Sequence, residues 1–148
     1  MQEGTLILND TEVRRKIRRM AHEIYEHNYK EKELVLAGIL EQGYQLAELL
    51  AAELKVISPL KVVLVEVALD KAKPTQGTID LSVEEKSLKN KSIILVDDVL
   101  NTGRTLAYSL KPFLKVKVKR LEVAVLVNRS HGEFPISCLL YTSDAADD

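Results

Sequence analysis

A short stretch in the second half of the chain brings together residue types that bind ligands. The apolar run Ile93–Val96 is followed at once by two adjacent acids, Asp97 and Asp98. Such a run is typical of a strand buried on both faces, so we expect the acids to stand at its carboxyl end. A small polar loop then leads into a predicted helix. The loop residues are Asn101, Thr102, Gly103, Arg104 and Thr105.

The two halves of this stretch suit two parts of one ligand. Carboxylates accept hydrogen bonds from sugar hydroxyls and support a magnesium ion through water. Backbone N–H groups near a helix start can surround a phosphate together with the hydroxyls of Thr102 and Thr105, and Gly103 permits a close approach. The order of residues therefore predicts a ribose phosphate site. The alternative is an acidic strand end like that of response-regulator receivers, which leaves the phosphate loop unexplained.

The elements that must position this stretch alternate along the chain. Apolar residues at helical spacing predict a first helix from Thr11 to about Asn28, with Asn9 and Glu12 as a capping box. The remaining patterns predict strands at 34–39, 62–69, 78–82, 93–96 and 121–127, and helices around 46–54 and at 105–114. This alternation indicates an α/β fold with a mainly parallel sheet and helices on both faces, where ligands bind beyond the carboxyl ends of the strands.

Composition indicates one soluble domain. The chain has 148 residues, of which 46% are hydrophobic, and a net charge of -1, so it can bury a core but has no global field that attracts nucleic acid. It has neither a basic leader nor about 18 consecutive apolar residues, so we expect a cytoplasmic protein without a membrane partner. The single Cys138 excludes an internal disulfide, and no Cys or His spacing suggests zinc.

The last eleven residues, CLLYTSDAADD, lack packing or turn logic and resemble translated sequencing adapter. We therefore expect a single domain over residues 1–137, a non-native tail over 138–148 and a truncated C-terminus. A natural frayed terminus is the alternative.

The stretch Ile93–Leu106 resembles the phosphoribosyl-pyrophosphate motif of type I phosphoribosyltransferases, in which two acids precede Thr-Gly-x-Thr. From Leu6 to Ile136, the chain is similar to the bifunctional pyrimidine-operon attenuation regulator and uracil phosphoribosyltransferase family, including AHEIYEHN and AVLVNRSHGEFPI. The resemblance implies the type I fold, phosphoribosyl pyrophosphate and a nucleobase as substrates, Mg2+ bound through substrate and water, and a homo-oligomer. It places Asp97 and Asp98 on the ribose hydroxyls as catalytic residues, and the loop 101–105 on the 5-phosphate.

The resemblance assigns pyrophosphate binding to a second loop, which consists of Gly38, Ile39, Leu40, Glu41, Gln42 and Gly43. The regulator family normally has an arginine where this chain has Gln42. Glu41 repels a leaving pyrophosphate unless magnesium intervenes or its side chain points away, so we expect weak turnover. An ordinary strand-to-helix turn is the alternative.

Two further segments correspond to functional parts of the family. Lys71 and Lys73 lie where a mobile loop closes over the reaction centre, and they either contact pyrophosphate or belong to a solvated loop. Val127, Asn128 and Arg129 replace the family pattern Val-Asp-Arg beside the nucleobase. The amide of Asn128 can hydrogen-bond a pyrimidine edge, but loss of the acid leaves the identity of the base open.

Basic residues leave a second function open. They cluster in the first helix and before the last strand, as Arg14, Arg15, Lys16, Arg18 and Arg19, and as Lys115, Lys117, Lys119 and Arg120. Solvated faces are the default for both, and RNA contact is the alternative. The residues and the resemblance thus predict a phosphoribosyltransferase that joins a nucleobase, with uracil as the expected base, to phosphoribosyl pyrophosphate and releases pyrophosphate. The alternative is a non-catalytic RNA-binding regulator that senses pyrimidine nucleotides.

Overall fold

The computed structural model describes residues 10–69, 79–100 and 104–128, and in these ranges helices and strands alternate. The elements are α1 (Asp10–Asn28), β1 (Glu33–Ile39), α2 (Gln42–Ile57), β2 (Lys61–Ala68), β3 (Asp80–Leu81), a 3₁₀ turn (Glu85–Leu88), β4 (Ser92–Leu100), α3 (Arg104–Ser109), α4 (Lys111–Leu114) and β5 (Arg120–Asn128). The predicted order of helices and strands is confirmed, with a difference at α3 and α4.

The strands form one sheet in the order β3-β2-β1-β4-β5. Strands β2, β1, β4 and β5 run parallel, whereas β3 pairs antiparallel with β2 at the edge. Strand β2, which follows β1 in the chain, lies next to β1 on one side. Strand β4 lies next to β1 on the other side. The strand order therefore reverses between β1 and β4, and in open α/β sheets ligands bind at this switch point.

Both faces of the sheet are covered, as the apolar runs predicted. On one face, Leu34, Leu36 and Ile94 pack against α1 and α2. On the other face, Val35 and Ile93 belong to a cluster that includes Phe113 of α4. The four residues of Ile93–Val96 are each at most 1% exposed, which explains why this run contains only apolar side chains.

The prediction of one continuous helix over 105–114 is wrong. Helix α3 ends at Ser109, and α4 begins at Lys111 with Pro112 in its first turn. Pro112 has no N–H to donate to the carbonyl of Tyr108, and its ring would clash with that carbonyl in a continuous helix. The break turns Phe113 into the core, where it is fully buried.

Other predictions meet the structure only in part. The returning strand predicted at 78–82 is the two-residue β3, and Ser82 extends its attachment to β2 by donating its N–H to the carbonyl of Glu66, 3.1 Å away. The capping residue Asn9, the loop 71–77 and the tail 138–148 lie outside the described residues. Within the described ranges, no helix is both long and apolar enough to cross a membrane.

Candidate functional site

The sheet register brings three predicted site segments to one edge. Gly38 of β1 pairs with Val96 of β4, and Val96 pairs with Ala124 of β5. Beyond this row, β1 leads into the loop before α2, β4 continues into its two acids, and β5 ends at Asn128 opposite Leu100. Because parallel strands end at the same edge of a sheet, segments that are distant in sequence meet at the switch point.

The two acids are oriented by the main chain of their own strand. The Oδ1 atom of Asp97 accepts a hydrogen bond from the N–H of Asp98 at 2.9 Å, and the Oδ1 atom of Asp98 accepts one from the N–H of Val99 at 2.9 Å. Asp97 is only 4% exposed, and Asp98 is half-buried. Backbone hydrogen bonds of this kind hold a carboxylate in position at the strand end, where it can act on a ligand.

Two glycines allow the first turn of α2 to lie directly on the ends of β1 and β4. A Cβ atom on Gly43 would lie 2.5 Å from the carbonyl oxygen of Val96 and 3.0 Å from Cα of Asp97. A Cβ atom on Gly38 would lie 2.4 Å from Cα of Tyr44. Side chains at these positions would collide with backbone, which cannot move away cheaply. The glycines therefore place the amino end of α2 beside Asp97.

The loop between these glycines presents a helix start and one exposed acid. The N–H of Leu40 donates to the carbonyl of Val67 at 2.9 Å, which ties the loop to β2. The next peptide bond, between Leu40 and Glu41, is cis. Glu41 is the N-cap of α2, and within the described segment its exposed side chain makes no capping hydrogen bond. The first-turn N–H groups of α2 are thus not taken by the N-cap side chain, and such groups attract anions.

Sequence reasoning missed three residues that shape the charge around this loop. Glu66 lies on β2 opposite Gly38, and Glu48 lies one turn after Tyr44 in α2. Burial raises the pKa of the Tyr44 phenol, and the charges of Glu48 and Glu66 raise it further. Glu48 and Glu66 therefore place negative charge near Tyr44, in the first turn of α2. Only the pairing of β1 with β2 brings Glu66 here, and no local pattern signals it.

The rest of the predicted site is described only in part. Arg104 begins α3, and Thr105 is half-buried in its first turn. Val127 and Asn128 end β5, where their backbones pair with Val99 and Leu100. The side chains of Arg104, Val127 and Asn128 lie outside the described parts, as do residues Lys71, Lys73, Asn101, Thr102, Gly103 and Arg129. The roles predicted for these residues remain predictions.

The donor set at the strand end fits a hard cation. Carboxylate oxygens are the ligands that Mg2+ prefers, and Mg2+ usually takes one or two of them together with water and substrate phosphates. Asp97 and Asp98 supply two adjacent carboxylates at the switch point. Among the described residues, no group of three or more His, Cys, Asp or Glu side chains could hold a metal ion. Two carboxylates are within the number that Mg2+ usually takes from a protein.

Known proteins share both the sequence and the fold. The phosphoribosyl transferase domain family matches residues 5–146. The bifunctional protein PyrR of Clostridium novyi is 36% identical over 143 residues, which is 92% of this chain and 80% of that protein. The bifunctional protein PyrR of Bacillus pumilus is 32% identical over 145 residues, or 92% of this chain and 81% of that protein.

Solved structures support the same assignment of fold. A hypoxanthine phosphoribosyltransferase of Trypanosoma cruzi in complex with its product IMP superimposes with a TM-score of 0.73 at 18% identity, covering 93% of this chain and 72% of that one. A hypoxanthine-guanine phosphoribosyltransferase of Bacillus anthracis gives 0.68 at 18% identity, with 89% and 76% covered. The predicted type I fold is confirmed, and this chain belongs to the phosphoribosyltransferase family, with relatives among the PyrR proteins.

Proposed function

We propose that this chain transfers the ribosyl phosphate group of phosphoribosyl pyrophosphate to a pyrimidine base, with uracil as the base, and releases pyrophosphate. The observation that carries the proposal is the meeting of Asp97 and Asp98 with the amino end of α2, which Gly43 permits. Family membership supports the kind of reaction. The resemblance to the attenuation regulators supports uracil, whereas the structural neighbours are hypoxanthine and hypoxanthine-guanine phosphoribosyltransferases.

In this reaction a ring nitrogen of the base forms a bond to the anomeric carbon as the bond from that carbon to the pyrophosphate oxygen breaks. The leaving pyrophosphate takes the bonding electrons, and the base loses its proton. No covalent intermediate with the protein is required. The transition state has oxocarbenium character, so catalysis rests on positioning and on electrostatics.

The residues take separate parts in this scheme. Asp97 and Asp98 hold the ribose hydroxyls, and one of them accepts the proton of the base. The loop 101–105 binds the 5-phosphate, and the loop Gly38–Gly43 lies at the pyrophosphate. Lys71 and Lys73 close over it, and Val127, Asn128 and Arg129 face the base. Mg2+, when bound with the substrate, neutralises charge on the leaving group.

A transfer assay tests the proposal. Purified protein is mixed with labelled phosphoribosyl pyrophosphate, Mg2+ and a panel of bases, and nucleotide and pyrophosphate are measured. Asp98→Asn should lower kcat/KM by about a hundredfold, because the amide no longer offers a negative charge to the ribose or to the proton. Asp80→Asn removes the same charge from the exposed edge strand and should leave transfer unchanged. Equal rates for wild type and Asp98→Asn would overturn the assignment.

A second candidate is a non-catalytic regulator that binds RNA and senses a pyrimidine nucleotide in the same crevice. Four arginines of α1 favour it because they are exposed, namely Arg14, Arg15, Arg18 and Arg19. The Nε atom of Arg18 lies 3.8 Å from a carboxylate oxygen of Glu53, and the side chain of Arg18 is 64% exposed. Retention of RNA on a filter should fall steeply with salt and respond to uridine nucleotides. A retention that salt does not change would remove this candidate.

We also propose a cytoplasmic homo-oligomer, as the resemblance implies. Light scattering on the eluting protein gives its mass in solution. A monomer at all concentrations would overturn this part of the proposal.

A further inference from the structure

The two helices that cover one face of the sheet differ in the chemistry of their outer faces. In α1, every described side chain that is exposed, from Thr11 to His27, is polar or charged. This is the ordinary outer face of an amphipathic helix. Helix α2 also buries an apolar face, but its outer face carries Leu49, which is 52% exposed, and Val56, which is 81% exposed. The outer face of α2 therefore needs another explanation than solvation.

The exposed apolar residues of α2 form a stripe, which consists of Leu49, Ala52 and Val56. Their spacing of three and four residues places them within about 60° of one another around the helix axis. Side chains at this spacing lie on one face, and helices pack against each other through such rows. A contiguous exposed apolar patch is typical of an interaction surface, whereas single exposed apolar residues are not.

Charged residues border the α2 stripe on both flanks. On one flank, Glu53 lies 3.8 Å from Arg18, so this flank is bounded by α1. On the other flank, Glu48 and Lys55 are both exposed. These two residues are about 10.5 Å apart along the helix, which is too far for an ion pair within one helix. A second helix that runs antiparallel presents a lysine to each glutamate.

We infer that the α2 stripe is the surface through which two copies of this chain pair, with their α2 helices antiparallel about a two-fold axis at Ala52. A two-fold contact needs a self-complementary surface. Leu49 precedes Ala52 by three residues and Val56 follows it by four. Each Leu49 therefore lies within about 1.5 Å, measured along the axis, of Val56 of the second copy. The small side chain of Ala52 lets the helices approach closely at the axis.

The same axis brings the charges of the free flank together. Glu48 precedes Ala52 by four residues and Lys55 follows it by three, so Glu48 of one copy meets Lys55 of the other with the same small offset. The contact is made twice, once on each side of the axis. The exposed arginines of α1 lie beyond Glu53, one helix further from the axis, where physiological salt screens their repulsion.

This pairing leaves the candidate site outside the contact. Gln42 begins α2 and lies about 15 Å along the helix from Ala52, and antiparallel helices carry their two amino ends to opposite ends of the pair. The inference thus does not use the transfer reaction. It gives the proposed homo-oligomer a defined contact surface.

Sedimentation velocity on the full chain, in a dilution series at physiological salt, tests the contact. The wild type should dimerise, and Leu49→Ser should weaken the dimer by about tenfold or more, because the lost apolar contact occurs twice. Leu114→Ser is the matched control, since Leu114 is 60% exposed but belongs to α4 on the other face of the sheet. It should leave the dissociation constant unchanged. Circular dichroism verifies that both variants are folded.

Charge reversal tests the antiparallel arrangement. Glu48→Lys and Lys55→Glu each set like charges against each other twice and should each weaken the dimer by about tenfold. The double variant restores opposite charges across the axis and should recover the affinity of the wild type. Glu26→Lys makes the same reversal at an exposed position of α1 and should change nothing.

The outcomes separate this inference from the other proposals. An oligomer that persists unchanged in Leu49→Ser overturns the contact but not the homo-oligomer. A double variant that stays as weak as the single ones overturns the antiparallel two-fold arrangement. Equal weakening by Leu114→Ser and Leu49→Ser also overturns the inference. A wild type that is monomeric at every concentration overturns both the contact and the homo-oligomer, while a dimer that transfers no ribosyl phosphate overturns the proposed reaction and supports the contact.

Discussion

The described contacts of the acids differ between the two ends of the sheet. At the amino end, acids pair with cations across elements, as in Glu33 with Lys91 at 2.7 Å and Glu31 with Lys119 at 2.8 Å. At the carboxyl end, Asp97 and Asp98 accept hydrogen bonds from the main chain of β4. Charges that neutralise each other hold elements together. Charges that are oriented by backbone N–H groups stay able to act on a ligand, which is why we place function at the carboxyl end.

The buried part of the amino end is a network around Glu122. This carboxylate is 1% exposed, accepts a hydrogen bond from Asn28 at 3.0 Å and pairs with Arg120 at 3.1 Å. Arg120 also donates to the backbone carbonyl of His27. A buried carboxylate is tolerated because it has both a charge partner and a hydrogen-bond donor. The network fastens the end of α1 to the start of β5.

The largest effect on stability is expected when this network loses its charge. Glu122→Gln removes the buried negative charge that pairs with Arg120 and should lower the free energy of unfolding by about 3 to 5 kcal/mol. Urea denaturation of wild type and variant measures this difference in the free energy of unfolding. Glu84→Gln breaks the exposed pair with Lys86, whose side chains are 77% and 84% exposed, and should change little. Equal losses in the two variants would contradict the difference between buried and exposed pairs.

A smaller effect on stability, joined to loss of function, is expected at the carboxyl end. In Gly43→Ala the new methyl group meets the backbone of Val96 and Asp97, so α2 must shift, at a cost of about 1 to 3 kcal/mol. Binding of ribose 5-phosphate should weaken in the same variant, because the helix start moves from the acids. Gln45→Ala is the matched control, since Gln45 is exposed in the same helix. Unchanged denaturation and binding in Gly43→Ala would show that the contact is not needed.

The smallest effect is expected at the pair of Glu33 and Lys91. The hydrogen bond from Lys91 is the main cause that lowers the pKa of Glu33, against a smaller opposing effect of burial. A depressed pKa in the folded state stabilises the fold above the pKa of the unfolded chain, and this contribution is lost as the pH falls through the folded value. Lys91→Met should therefore cost less than about 1 kcal/mol near neutral pH.

The pH dependence checks the sign of this effect. The difference in unfolding free energy between wild type and Lys91→Met should shrink as the pH falls below the ordinary range of a glutamate, about 4.3. A difference that grows on acidification would contradict the assignment to Glu33.

Much of the fold could be predicted because buried residues form apolar patterns in the local sequence. The run Ile93–Val96 is apolar at every position, and the strand it forms is buried on both faces. The helical spacing from Val13 to Ile24 likewise predicted α1. The break between α3 and α4 was missed although Pro112 marks it, because the apolar pattern continues through the break. A periodic pattern reports which residues are buried, but it does not report whether the backbone between them is continuous.

The candidate site also has features that the sequence predicts and features that only the fold decides. Sequence alone determined which residue types stand at the strand ends. Because the chemistry of a group depends on its type, the order of acids, hydroxyls and glycine in Ile93–Leu106 predicted a ribose phosphate site. Only the tertiary structure decided which segments meet. The sheet register placed Gly38 beside Val96 and Glu66, and it set the first turn of α2 on Asp97. Pairing between distant strands depends on the packing of the whole sheet, so no local pattern could have revealed that Glu66 lies opposite Gly38.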